Sequence, residues 1–108
     1  MRRRARLARR ADLEACWTAG RRLPARYVEV AWRANRAGHP RLGVIVPRFQ
    51  HSAVARNRVR RRLREIARRG PLGTLQPVDV LVRARRGAYA AGFAALRDDL
   101  TQALARIP

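Results

Sequence analysis

Apolar positions along this chain switch between helical spacing and the alternation of a strand, and the switches mark out its elements. Leu13, Cys16 and Trp17 share one helical face, with Asp12 placed to cap the helix and Gly20 to end it. From Tyr27 the period becomes two: Val28, Val30 and Trp32 alternate with Tyr27, Glu29 and Ala31. Residues 35–40 read as a turn, residues 41–46 as an apolar strand that Pro47 stops. Residues 52–69 return to helical spacing, opened by Ser52 as N-cap and closed by Gly70-Pro71. After a loop over 70–77, residues 78–84 read as a buried strand. Phe93, Leu96, Leu100, Leu104 and Ile107 then give a last helix.

The order helix, strand, strand, helix, strand, helix predicts an α+β fold: a small two-layer sandwich with three helices on one central, mostly antiparallel sheet. All 108 residues form one domain, since halving the chain leaves neither part a workable core. Val, Ile, Leu and Phe make up 25 residues, enough for a folded core, but 20 alanines keep it thin. Residues 1–10 carry six Arg and no acid and read as a solvated basic arm, whether ordered or loose.

Charge changes the picture most. The net charge is +19, from 26 Arg against 7 acids, with no Lys. So much repulsion on a small surface calls for a polyanionic partner, nucleic acid before an anionic membrane. No apolar run approaches the roughly 20 residues of a membrane span, and no apolar segment follows the basic start as in a signal peptide. One cysteine cannot form an internal disulfide, which fits a reducing cytoplasm.

Residues 52–69 concentrate that charge. Advancing about 100° per residue places Ala55, Val59, Leu63 and Ile66 in one stripe. Asn57, Arg60, Arg61, Arg64 and Arg68 fall on the opposite side within an arc of roughly 100°. Eight Arg face one acid, Glu65, so i,i+4 pairing cannot offset the repulsion and the face needs phosphates. Catalytic constellations are nearly absent. His39 and His51 sit in a turn and a loop without metal-ligand spacing, and both read as solvated. Cys16 reads as a small buried hydrophobe, and Asp98-Asp99 as a solvated helix face. Trp17 and Tyr27 offer ring faces on which unpaired bases stack, although Trp17 equally suits the core.

Ala53-Val54-Ala55-Arg56-Asn57-Arg58-Val59-Arg60-Arg61-Arg62-Leu63-Arg64-Glu65 resembles the RNR signature of the bacterial ribonuclease P protein component. The stretch from Gly38 through Val46 is similar to that family's preceding strand, and Arg6-Leu7 with Asp12 through Trp17 to its opening helix. Asp79 through Arg85 and Phe93-Ala94-Ala95-Leu96 are similar to its closing strand and helix. The resemblance covers residues 6–104; the RNR block is specific, the other segments weak alone.

The resemblance implies a fold like the second domain of ribosomal protein S5, with the RNR helix in a left-handed strand–helix–strand crossover. It implies a protein subunit that helps a catalytic RNA remove the 5′ leader of precursor tRNA. The chemistry and its magnesium ions (Mg2+) then belong to the RNA, so the protein supplies no catalytic side chain. Carried over residue by residue, Arg56, Asn57, Arg58, Arg60, Arg61, Arg64 and, on the same face, Arg68 contact RNA. Leu13, Trp17, Tyr27 and Ala31 line a leader-binding cleft. Leu13 stands where a Phe is usual, and Arg48-Phe49 replaces a lysine pair. Catalytic RNA and precursor tRNA are the implied partners; no membrane and no obligate protein partner are called for. The alternative is a ribosomal-type structural RNA-binding protein. A DNA-binding regulator fits less well, because a strand and a loop, not a helix and a short turn, precede Ser52.

Overall fold

The computed structural model describes residues 5–108, and four strands and three helices follow in the order α1, β1, β2, β3, α2, β4, α3. α1 spans Arg10–Ala19, β1 Arg21–Pro24, β2 Val28–Ala34 and β3 Arg41–Ile45. α2 spans Ala53–Arg69, β4 Val78–Ala84 and α3 Phe93–Ala105, with short 3₁₀ turns at Pro71–Thr74 and Arg86–Tyr89. The sheet order is β1-β2-β4-β3. β2 runs antiparallel to both β1 and β4, while β3 and β4 are parallel and joined through α2. The mostly antiparallel sheet and the crossover around α2 are as expected.

β1 is the element that the pattern missed. Arg-Arg-Leu-Pro has no apolar alternation, and only its pairing with β2 makes it a strand. As a mostly exposed edge it tolerates Pro24, whose missing N–H would break an inner ladder.

Alternation gives the sheet two faces. Val28, Val30, Leu42, Val80 and Val82 point to the face covered by α2 and α3, where they join Val59, Leu63, Ile66, Leu96, Leu100 and Leu104. This is the main core, and it buries the stripes predicted for α2 and α3, except that Phe93 stays 46% exposed. Burial of α2 extends to Ala67, while Ala55 is half-buried. Ser52 caps α2, its Oγ accepting from Ala55 N–H at 3.1 Å.

α1 crosses the other face over a smaller cluster of Leu7, Cys16, Ala31 and Leu81. Gly43 makes this crossing possible: a Cβ there would lie 2.7 Å from the Leu13 side chain and 2.8 Å from the Leu7 carbonyl. α1 begins one turn earlier than the Asp12 cap implied, with Arg9 at the N-cap and Asp12 inside the first turn.

The basic arm needs correcting as well. Met1–Arg4 lie outside the described residues. Leu7, however, is buried and donates its N–H to the Leu42 carbonyl at 2.8 Å, while Arg6 bridges to β3. A leucine among arginines anchors this stretch along an otherwise open strand edge.

Two acids tie separate elements together. Asp79, 5% exposed, accepts from Arg41 Nε at 2.8 Å, Arg41 Nη2 at 2.9 Å and Asn35 Nδ2 at 2.8 Å. Asp99 accepts the backbone N–H groups of Arg26 at 3.0 Å and Tyr27 at 2.8 Å, which pins α3 to the start of β2. The expected solvated face therefore holds for Asp98, which is exposed beside Arg97, but not for Asp99.

Candidate nucleic-acid interface

The polar side of α2 forms a groove of about 390 Å³ lined by Arg6, Asn57, Arg60, Arg61, Arg64, Glu65 and Arg68. Five of these are the residues that the helical wheel set on one arc. Arg6 joins them from the strand-like stretch held against β3. Glu65 offsets only part of the groove's charge, because its carboxylate is shared between Arg68 of the groove at 3.0 Å and Arg69 at 2.9 Å.

Arg64 shows what the groove lacks. Its Nε is buried and has no hydrogen-bond partner, the one such side-chain nitrogen or oxygen among the described residues. Burial lowers the pKa of its guanidinium, and the positive charges of Arg6 and Arg60 lower it further. A desolvated donor beside two like charges is costly as it stands. A phosphate oxygen would satisfy the donor and reverse the sign of the repulsion.

Arg56 and Arg58 do not line the groove. Arg56 Nε donates to the Val46 carbonyl at 2.8 Å, tying α2 to the end of β3, so its first role is structural. Arg58 is exposed on another side of the helix.

Across the sheet, α1 and two strands form a cleft of about 380 Å³ lined by Leu13 and Trp17 together with Ile45, Leu81 and Arg83. Of the four residues expected here, Leu13 and Trp17 are in place. Ala31 is fully buried against Cys16 and lies beneath the floor. Tyr27 is elsewhere: β2 starts only at Val28, and the contacts of Tyr27 with Asp99 and the Arg85 N–H hold it on the α2–α3 side. Alternation held the signal for the missing members, because Ile45, Leu81 and Arg83 occupy the same sheet face as Ala31 through the β2–β4–β3 register.

Trp17 is half-buried, with the Arg22 guanidinium 3.8 Å from its ring centroid and Arg83 at 5.4 Å. Arg22 Nη2 also donates to the Trp17 carbonyl at 2.9 Å, which fixes the cation over the ring. The cleft thus combines an apolar floor with a cation-flanked indole, a surface suited to bases and phosphates of an unpaired strand.

Cys16, behind the floor, is buried as expected, its thiol directed at the carbonyls of Ala31 and Asp79, each at 3.5 Å. Burial, then the Asp79 charge, pushes its pKa from 9.0 up to about 11. The neutral thiol is thus the form the fold favours. Its contribution to stability is complete below pH 9 and is lost as pH rises from 9 towards about 11. Native protein should resist alkylation by iodoacetamide at pH 8 and react once unfolded; rapid native labelling would show that the thiol is accessible.

A family model described as ribonuclease P matches residues 1–108. The ribonuclease P protein component of Mycobacterium avium (strain 104) is 46% identical over 70 residues, 64% of this chain and 58% of that protein. The match therefore spans little more than half of that relative's length. The component from Acidothermus cellulolyticus is 36% identical over 104 residues, covering 94% of this chain and 87% of the relative. The solved ribonuclease P protein of Thermotoga maritima superposes with a TM-score of 0.85 at 31% identity, over 95% of this chain and 97% of that one. With the RNR block, the groove built from it and the shared fold all in agreement, the chain belongs to the ribonuclease P protein family.

Proposed function

We propose that the chain is the protein subunit of a ribonuclease P holoenzyme and assists removal of the 5′ leader from precursor tRNA. The groove on α2 binds the catalytic RNA, and the cleft under α1 holds the unpaired leader. Phosphate neutralisation by the protein then substitutes for part of the magnesium that the RNA would otherwise need. One observation carries the reading: the buried, unpartnered Nε of Arg64, set between Arg6 and Arg60 in a groove made from the RNR residues.

Hydrolysis belongs to the RNA in this proposal. Among the described residues no three His, Cys, Asp or Glu side chains come together to hold a metal ion. We place the magnesium mainly on the RNA and its substrate. No helix among the described residues is long and apolar enough to cross a membrane, and the single buried thiol suits a reducing, cytoplasmic setting.

The test is cleavage of a precursor tRNA by a bacterial ribonuclease P RNA at limiting magnesium, with and without this protein. Correct 5′ cleavage should rise when the protein is added, and the gain should shrink when the leader is cut to a single nucleotide. Tight, salt-sensitive RNA binding without any gain would point instead to a structural RNA-binding role.

A further inference from the structure

The loop between β3 and α2 holds a ring stack that neither the groove nor the cleft uses. The His51 imidazole lies parallel to the Tyr89 ring, with centroids 3.8 Å apart and planes within 6°. The Tyr89 hydroxyl donates to the Pro47 carbonyl at 2.6 Å, and Phe49 meets its ring edge-on at 6.4 Å. Arg86 in turn stands over Phe49 at 4.5 Å. To reach this arrangement Phe49 and Gln50 adopt φ values of 46° and 69°, a region that side chains rarely occupy.

These contacts immobilise Tyr89 but leave His51 exposed. One imidazole face is spent on Tyr89 at the spacing of stacked bases. A residue serving only to cover the loop would be buried instead. The surroundings select what comes next in the stack: Arg48 and Arg86 are exposed, and neither 46–64 nor 80–97 contains an acid. We propose that His51, backed by Tyr89, is a platform for one unpaired RNA base, with Arg48 and Arg86 taking the flanking phosphates. The platform belongs to the α2–α3 side, where Tyr89 packs, whereas Trp17 belongs to the α1 side. It is therefore a second single-strand contact, separate from the cleft. Because the ring pair is formed in advance, little ordering cost attends binding. The inference rests on the reading that RNA is the ligand.

The test compares two labelled strands of about 12 nucleotides, an oligoadenylate and an abasic ribose-phosphate strand of equal length. Both are titrated with the full chain and with His51→Ala and His51→Phe, after thermal unfolding has shown that the variants fold. We expect His51→Ala to weaken oligoadenylate binding about tenfold, as for loss of a stacked base, and to leave the abasic strand unaffected. His51→Phe should bind like the unsubstituted protein. Equal losses on both strands, no loss on either, or failure of His51→Phe to retain binding would overturn the platform alone. Failure of the unsubstituted chain to bind either strand at low salt would overturn the RNA reading itself.

Discussion

Replacing Arg41 with alanine should destabilise the fold by about 3–5 kcal/mol, the cost of stripping one partner from a buried ion pair. The penalty falls on the residue left behind. Asp79, whose side chain is only 8% exposed in the intact protein, loses two of its three side-chain donors and keeps only the Asn35 amide at 2.8 Å. The reverse substitution is milder. Asp79→Asn leaves Arg41 with a side chain 25% exposed and Asp12 within 3.9 Å, so water and a second carboxylate share the load. The hydrogen bonds that Arg41 donates to Asp79, more than the Asp79 charge alone, raise the pKa of the Arg41 guanidinium.

Position explains why so much rests on this pair. Arg41 and Asp79 are register partners at the start of the parallel β3–β4 ladder, whose strands are joined only through α2. The Asp79 carbonyl also receives the Cys16 thiol, which links the same point to α1. The unfolding temperature should therefore fall by roughly 12–20 °C in Arg41→Ala, at about 4 °C per kcal/mol for a domain just above 100 residues. Adding Asp79→Asn to that variant should recover part of the loss by removing the stranded charge. A loss below about 1 kcal/mol, or a double variant worse than the sum of the singles, would mean that the pair is not the lock.

Periodicity made the core legible because a residue's face follows from spacing alone. Val28 and Val30, Val59, Leu63 and Ile66 of the α2 stripe, and the α3 leucines are buried where their patterns put them. The RNR face was legible for the same reason, and Asn57, Arg60, Arg61, Arg64 and Arg68 line one groove. What escaped depended on partners distant in sequence. β1 exists through its ladder with β2, Arg6 enters the groove because Leu7 is buried, and Asp99 ceases to be a surface acid because two N–H groups 72–73 residues away need acceptors. The cleft was half legible. Spacing put Leu13 and Trp17 on one helical face and the family resemblance put them in a cleft, but placing Tyr27 and Ala31 required knowing where β2 begins and how closely α1 sits on it.

Removing two groove charges should separate binding from folding in a way that few substitutions in this protein can. In Arg60→Ala combined with Arg64→Ala, the free protein loses a buried donor without a partner and a repulsion between neighbours, so thermal stability should hold or rise slightly. Binding to a bacterial ribonuclease P RNA should respond in the opposite direction. Each phosphate contact contributes roughly 0.7–0.9 to the slope of log affinity against log salt, so the slope should fall by about 1.4–1.8 for the pair. Near 0.1 M salt that corresponds to an affinity loss of about 25- to 60-fold, shrinking as salt rises. Arg56→Ala supplies the contrast, since its loss of the Val46 carbonyl contact at 2.8 Å should appear first in the unfolding temperature. Were the double variant to keep the full salt slope, the phosphates would lie elsewhere, and the unpartnered Nε of Arg64 would be a cost borne by the free protein with no gain on binding. Were it to unfold early instead, Arg64 would belong with Arg56 among the residues that hold α2 to the sheet.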